Sequence, residues 1–178
     1  MVMQACEEMG IDNGACALLT PRMSPQAAVE ALLTRGYPQE ALQLLARLLP
    51  KRYVVAWLCQ CARSEDLAED DRAGAVLAEQ WVREPTEPHR RVAYEFATAG
   101  GYRTLGTWLA AAAGWSGGSL APATQETPVQ APAHLTARAA VAAINLLAAM
   151  EPDRFDERRL AFAARALPLL EEGNATGS

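Results

Sequence analysis

Apolar side chains recur at helical spacing from residue 24 onward. Ser24 and Pro25 are typical of a helix start, because serine can cap the free N–H groups and proline fits the first helical position. Gly36 ends this helix, and a second helix begins at Pro38 and stops before Pro50. So short a connection predicts an antiparallel pair, an αα-hairpin. Its apolar faces consist of Ala28, Val29, Leu32, Leu33, Ala41, Leu42, Leu45, Leu48 and Leu49.

Further helices are predicted before residue 116. The segment 51–63 is apolar nearly all round, which predicts a helix buried on several sides at the centre of the domain. A fourth helix follows the acidic connection 64–71, a fifth opens at 85–88, and a sixth runs from about Thr104 to Gly114. The positions predicted to face inward are Ala73, Val76, Leu77 and Trp81, then Val92, Phe96 and Ala99, and finally Leu105, Trp108, Leu109 and Ala112.

The clearest break in the pattern is the segment 116–133, where glycine, serine and proline leave no helical period. This composition predicts an extended linker that can reach across the surface. Beyond it, Thr136 is expected to cap a seventh helix. An eighth begins near Pro152 and runs toward Glu172, and Pro168 is expected to kink or split it.

Composition also favours helices. Apolar residues make up 51% of the chain and aromatic residues only 6%, so alanine, leucine and valine must build most of the core. We expect one all-α domain of antiparallel helical hairpins, about eight helices, with the linker before the last two. The predicted organisation is an N-terminal extension (1–23), a helical core (24–115), the extended linker (116–133), a C-terminal helical pair packed on the core (134–172) and a tail (173–178).

The charge balance argues against nucleic acid as a partner. The chain has 16 basic and 21 acidic residues, a net charge of -5, whereas nucleic-acid binders usually carry a basic stripe. The first 20 residues lack the basic start and apolar run of a leader, and no apolar run approaches the roughly 20 residues of a membrane helix. We expect a cytoplasmic protein that binds neither membrane nor nucleic acid.

The cysteines and the acidic connection are the candidates for metal binding. The four cysteines are Cys6, Cys16, Cys59 and Cys61. Cys59 and Cys61 point to different helix faces, and this pair has no second cysteine pair or nearby histidines at zinc-site spacing. Reduced thiols packed as small apolar side chains are the favoured interpretation. The acidic run 65–71 can meet a basic partner or a cation, but it lacks the spacing of a calcium loop, so a solvated loop is favoured. We expect no metal and no cofactor.

Known catalytic motifs are missing. Gly117-Gly118-Ser119 resembles part of a nucleophile elbow, but it follows a helix and lacks the closing glycine. His89 and His134 can be imagined as general bases, although surface or capping roles are favoured. We predict no catalytic residues and no enzymatic activity, with an unfamiliar enzyme site built on His89, Arg90 and the acidic connection as the weakest alternative.

Aromatic and basic residues supply the candidate partner-binding positions. Trp57 and Trp108 lie on apolar stripes and are expected in the core, whereas Trp81 and Trp115 lie at helix ends. Trp115 is either a binding anchor or a pin for the linker. The basic spot 89–91 favours internal pairing with nearby glutamates over anion binding. The candidate partner-binding residues are Trp81, His89, Arg90, Arg91, Trp115, Leu120 and Pro122.

Four sequence strings carry a family resemblance. They are EALQLLARLLPKRYVVAWLCQCAR, WVREPTEPHRRVAYEFA, WSGGSLAP and HLTARAAVAAINLLAA. Over roughly residues 25–172 the chain resembles a bacterial all-helical family, a domain of unknown function, whose members are often encoded near type VI secretion genes. Pro168 departs from the small or aliphatic residue expected there. The resemblance implies an association with secretion, and it assigns no catalytic residues.

Three functions follow from these observations. The first is a non-enzymatic adaptor or chaperone-like protein that binds another protein, the product of a neighbouring secretion gene such as an effector or spike. The second is an immunity protein, whose acidic charge suits the basic cleft of a toxin that degrades nucleic acid. The third is the enzyme with an unrecognised site.

Overall fold

The computed structural model describes residues 1–171, and helices dominate them. The elements are α1 (Val2–Met9), α2 (Asn13–Cys16), α3 (Pro25–Thr34), α4 (Pro38–Leu48), α5 (Lys51–Arg63), α6 (Glu69–Arg83), α7 (Glu87–Ala99), α8 (Leu105–Gly114), α9 (Leu135–Ala149) and α10 (Phe155–Ala166), with a 3₁₀ turn at Pro152–Arg154. Within 1–171 the only β-type pairing is one isolated bridge, so the predicted all-α class is confirmed. The predicted number of helices was too low because α1 and α2 lie in the segment 1–23, which was predicted as an N-terminal extension, although the buried Val2, Ala5, Cys6 and Met9 of α1 do recur at helical spacing.

The chain forms two compact units. The first contains residues 1–50 and the segment from Ala148 onward, and the second is Lys51–Leu147. Helix α9 therefore begins in the second unit and ends in the first. The predicted domain boundaries stay a prediction, and residue 172 and the predicted tail, 173–178, lie outside the described residues.

Helix α4 is the centre of the first unit, where it packs against α1, α3 and α10. The hairpin of α3 and α4 forms where the sequence predicted it. The Ser24 hydroxyl accepts a hydrogen bond from the Ala27 N–H at 3.2 Å, and Gly36 takes a left-handed φ of 82° at the turn. Five residues of α4 are buried, namely Ala41, Leu42, Leu44, Leu45 and Ala46.

The first 23 residues are held to the first unit by specific contacts. Cys6 and Met9 of α1 are each 3% exposed. Glu8 forms an ion pair with Arg47 of α4, and the Gln43 side chain donates a hydrogen bond to the Met9 carbonyl at 3.5 Å. Helix α1 of this segment is therefore packed against α4.

Helix α8 is the centre of the second unit. It packs against α5, α6 and α7, and nine of its ten residues are buried. Two glycines let the helix backbones touch. A Cβ on Gly74 of α6 would lie 2.1 Å from the Gly106 carbonyl oxygen, and a Cβ on Gly114 would lie 2.6 Å from the Tyr94 Cα. Small residues thus set the distances between α6, α7 and α8.

Four residues predicted to face inward are exposed, namely Ala73, Val76, Val92 and Ala99. Val76 of α6 is 47% exposed and Val92 of α7 is 48% exposed. The buried face of α6 carries Gly74, Ala78 and Trp81, and that of α7 carries Arg90, Ala93 and Ala97. The inward prediction was right for Trp81 and wrong for the four exposed residues, because glycine, alanine and one arginine make most of the other contacts and apolar periodicity does not single them out.

In the C-terminal helices, the start of α9 differs from the prediction and the end of α10 agrees with it. Thr136 does not cap α9, because the helix already begins at Leu135. The buried Thr136 hydroxyl instead donates a hydrogen bond to the Ala112 carbonyl at 2.9 Å. Helix α10 ends at Ala166 and a turn covers 167–168, so the break expected at Pro168 is confirmed. Within 1–171, every helix is too short or too polar to cross a membrane.

We predict that Gly74→Ala destabilises the protein by about 1–3 kcal/mol, because the added methyl group overpacks the contact with Gly106. Helix propensity alone predicts the opposite sign, a gain of about 1 kcal/mol. Urea unfolding measures the difference. The exposed Gln80→Ala on the same helix is the control and should leave stability within about 0.5 kcal/mol. A stabilised Gly74→Ala variant would contradict the close approach.

Candidate functional site

The segment predicted as an extended linker folds back on itself. Ser119 and Gln130 form an antiparallel bridge, and the Leu120 N–H donates to the Val129 carbonyl at 2.7 Å. The Ser119 hydroxyl accepts from the backbone N–H groups of Ala121 and Val129 at 3.0 and 2.9 Å. We call residues 116–131 the docked loop. Its tip, 122–130, is exposed.

Side chains of α7 hold the docked loop by its backbone. Arg90 Nη2 donates to the Ser119 carbonyl at 3.3 Å, and Arg91 Nη1 donates to the Ala121 carbonyl at 2.8 Å. The Tyr94 hydroxyl donates to the Leu120 carbonyl between them. All three acceptors are backbone oxygens, so these side chains of α7 bind the main chain of the loop and not its side chains.

Arg90 is a buried cation, only 3% exposed. Its Nε and Nη2 donate to the two carboxylate oxygens of Glu87 at 2.7 and 2.5 Å, and its Nη1 donates to the Gly114 carbonyl at 2.7 Å. The hydrogen bond from Arg90 lowers the pKa of the Glu87 carboxyl. The pair therefore stabilises the fold above the usual pKa of glutamate, and that stabilisation is lost as the pH falls through the lowered value.

Gly118 fits the docked loop onto Arg90. Its φ is +60°, and a Cβ at this position would lie 2.6 Å from Arg90 Nε. The neighbouring Gly117 has open space around it, with nothing within 4 Å of the same virtual atom. The two adjacent glycines thus differ sharply in what they tolerate.

A partly exposed cluster of three aromatic rings lies where the docked loop leaves α8. The ring centroids of Tyr102 and Trp108 are 5.7 Å apart, those of Tyr102 and Trp115 are 5.2 Å apart, and those of the two tryptophans are 5.9 Å apart. We call Tyr102, Trp108 and Trp115 the aromatic cluster. Trp108, predicted to be core, is partly exposed because it occupies the one face of α8 that its neighbours leave uncovered.

Tyr102 adopts a strained backbone to join the aromatic cluster. Its φ is 56°, and it is the one non-glycine residue with positive φ among residues 1–171. Its hydroxyl lies 3.2 Å from the Thr98 Oγ1. Because Thr98 already donates its proton to the Tyr94 carbonyl at 3.0 Å, Tyr102 is the donor of this bond. Strained residues of this kind concentrate at functional sites.

Thr98 connects the aromatic cluster to an apolar cleft between α7 and the docked loop. The cleft has a volume of about 330 Å³. Tyr94 forms part of its wall, and the Arg91 guanidinium lies 5.5 Å from the centroid of that ring. Its lining residues are Arg91, Tyr94, Glu95, Thr98, Ala99, Pro122 and Ala123. We call this the α7 cleft.

A second cleft, of about 230 Å³, lies between α5 and α6. Cys59 and the exposed Val76 line it, and Glu79 pairs there with Arg63 and Arg83. Burial raises the pKa of the Cys59 thiol to about 12. A thiol in that state carries almost no thiolate at neutral pH and is a poor nucleophile.

The chain matches the model of a family of unknown function (DUF6931) over residues 28–170. It belongs to that family. Comparisons with curated proteins and with solved structures found no match. The expected membership in a family of unknown function is thus confirmed, whereas the expected link to type VI secretion stays a prediction. Helices α1 and α2 lie outside the matched range, and both clefts lie inside it.

The predicted partner-binding residues fall into distinct groups. Arg90, Arg91 and Leu120 take part in docking the loop, Trp115 belongs to the aromatic cluster, and Pro122 lines the α7 cleft.

The other two lie among the helices. Trp81 is 7% exposed on the buried face of α6, and the His89 Nδ1–H donates to the Glu84 carbonyl at 2.8 Å.

Residues of the acidic connection stabilise the contact between α6 and α8. Residues 69–71 form the first turn of α6, and the Asp71 carboxylate accepts a hydrogen bond from the Gly106 N–H at 2.8 Å, at the start of α8. Within the described part of the chain, histidine, cysteine and acidic side chains form no group able to hold a metal ion.

Tyr94 and Tyr102 were not predicted from the sequence. Tyr94 lies four residues after Arg90, which places both side chains on one helix face, so this spacing was a usable signal. Tyr102 had none, because no residue pattern predicts a left-handed tyrosine after Gly101.

We predict that Gly118→Ala loosens the docked loop while Gly117→Ala does not. A side chain at φ +60° costs roughly 1–2 kcal/mol, which raises the population of the open loop about 5- to 30-fold. The rate of amide hydrogen exchange at Leu120 and Val129, whose N–H groups are bonded within the docked loop, reports that population. Equal exchange rates in both variants, with unchanged melting temperatures, would refute the docking geometry.

Proposed function

We propose that this protein is a non-enzymatic adaptor or chaperone-like protein that binds a segment of another protein at the aromatic cluster and the α7 cleft. The observation that carries the proposal is the partly exposed three-ring cluster, in which Tyr102 has a positive φ. Aromatic side chains dominate the energetics of protein interfaces when they are rigid and lie beside apolar pockets.

The chemistry of the surface favours a protein segment over a small charged ligand. The α7 cleft is mainly apolar, with Arg91 and Glu95 as its charged members. The Arg91 guanidinium already donates to the Ala121 carbonyl and lies over the Tyr94 ring. Its charge is therefore engaged within the protein, and its main contribution to the cleft is as part of the wall. A surface of aromatic rings with a few polar groups at its edge resembles the core and rim of a protein interface.

The docked loop indicates which kind of segment fits. Pro122 and Ala123 already line the α7 cleft as part of the docked loop, which lies along α7 with its carbonyls on Arg91 and Tyr94. An extended partner segment, rich in small or proline residues, can lie beside this chain and cover the cleft and Trp115.

The resemblance to a family encoded near type VI secretion genes supports a narrower version of the proposal. In that version the partner is an effector or spike protein encoded by a neighbouring gene. The net charge of -5 favours a second candidate function, an immunity protein that covers the basic cleft of a toxin.

We predict that Trp115→Ala and Tyr102→Gly each weaken partner binding by about 2 kcal/mol or more, roughly 30-fold in Kd. Tyr102→Gly removes the ring while relieving the positive φ, so it separates lost binding from lost folding. The measurement is co-expression with each neighbouring gene product, followed by calorimetry of the purified pair. Val76→Ala, at an exposed apolar residue beside the other cleft, is the matched control and should bind as the wild type does.

The alternatives give different results. An immunity protein rescues growth of cells that express a neighbouring toxin, and an adaptor changes only export. If no neighbouring product binds, or if both aromatic variants bind normally, the proposal is wrong.

A further inference from the structure

The returning segment of the docked loop, residues 128–131, has an open edge. Ser119 and Gln130 form the antiparallel bridge, and in the next pair the Leu120 N–H donates to the Val129 carbonyl. Because hydrogen-bonded and non-hydrogen-bonded pairs alternate between antiparallel strands, Ser119 and Gln130 form a non-hydrogen-bonded pair. The main-chain N–H and C=O groups of each therefore point away from the other residue. The Ser119 carbonyl agrees with this geometry, because it accepts a hydrogen bond from α7.

Gln130 presents its main-chain N–H and C=O groups on the outer edge of this segment. The residue is exposed, and neither group has a hydrogen-bond partner among residues 1–171. Pro128 and Pro132, two residues before and after it, have no N–H group. The Pro132 carbonyl already accepts from the Leu135 N–H at 3.2 Å. The outer edge therefore offers one donor, at Gln130, and two acceptors, the carbonyls of Pro128 and Gln130.

A cleft of about 370 Å³ lies beside the outer edge. Gly117 has no left-handed φ, and a Cβ there would meet nothing within 4 Å. Neither backbone conformation nor packing within residues 1–171 thus requires glycine at this position, and the space beside it is open to a second chain. We call this the loop cleft, and its lining residues are Gly117, Gly118, Ser119, Pro128, Gln130 and Ala131.

We propose, on the basis of the proposed function, that the partner segment adds a β-strand at Gln130 and places a side chain in the loop cleft. In this mode of binding, main-chain hydrogen bonds supply affinity and the cleft supplies specificity. The partner residue that donates to the Gln130 carbonyl must carry an N–H group, so it is not proline. Trp115 lies two residues before Gly117, so the same segment can continue onto the aromatic cluster.

A partner of different sequence fits the outer edge better than a second copy of this chain does. Two copies that pair through Gln130 exchange two hydrogen bonds, and on either side a proline then faces a proline with no donor between them. A segment with N–H groups at alternate positions forms three hydrogen bonds, the third to the Pro128 carbonyl. Prolines at an edge oppose self-pairing in this way in natural sheets.

The test uses a displayed library of short random peptides, selected on the wild-type chain and then measured as synthetic peptides by calorimetry. Gln130→Pro removes the donor of the outer edge and should weaken the Kd about 10-fold. Gln130→Ala keeps the main chain, so it is the matched control and should stay within about 2-fold of the wild type. Gly117→Leu fills the loop cleft and should weaken binding to a similar extent as Gln130→Pro.

N-methylation of the peptide gives a readout that does not depend on how a protein variant folds. In either strand direction, the N–H groups that bond to the carbonyls of Gln130 and Pro128 belong to peptide residues two positions apart. Methylation at each of these positions should weaken the Kd about 10-fold. Methylation of the residue between them should leave the Kd within about 2-fold.

The outcomes separate this inference from the proposed function. Peptides that depend on Trp115 but bind Gln130→Pro and every N-methylated form normally would overturn the added strand and leave the proposed surface standing. If no peptide binds, or if all peptides ignore both positions, both proposals are wrong. A wild-type dimer in sedimentation that Gln130→Pro dissociates would also overturn the inference. Amide exchange at Leu120 shows whether Gln130→Pro keeps the loop docked, and if it does not, the methylation pattern decides.

Discussion

The guanidinium of Arg90 has to be supplied with acceptors, because a buried charge without partners is strongly destabilising. Glu87 provides two of them from the same helix, and the carbonyls of Gly114 and Ser119 provide the others. The last of these lies in the segment after α8, so the chain there must turn back toward α7. Arg91 and Tyr94 continue the same row of donors along the next carbonyls.

The position of the docked loop against α7 determines where the candidate binding surface lies. Trp115 stands at the start of the docked loop and packs against Tyr102, whose strained backbone points to a constraint beyond helix packing. Pro122 lies further along the loop and lines the α7 cleft. An aromatic anchor and an apolar cleft thus lie on the same edge of the second unit, which is the combination that a protein-binding surface requires.

The sequence predicted what depends on local rules. The hairpin of α3 and α4, the Ser24 cap and the break at Pro168 follow from capping and proline chemistry. The buried faces of α6 and α7 could not be predicted from these rules, because the Gly74 contact and the buried Arg90 determine them. Apolar periodicity cannot represent either feature. Of the candidate site, Arg91, Trp115 and Pro122 were predicted from the sequence, but the loop that brings Pro122 to the cleft beside Tyr94 depends on contacts distant in sequence.

The most direct test of this account is amide hydrogen exchange across residues 116–131 of the wild-type protein. The Leu120 and Val129 amides are bonded to the Val129 carbonyl and the Ser119 hydroxyl. The account predicts that they exchange at least about 100-fold more slowly than the amides of the exposed tip at Thr124 and Glu126. Exchange of Leu120 and Val129 at the rate of an unstructured peptide would contradict a docked loop and, with it, the candidate surface.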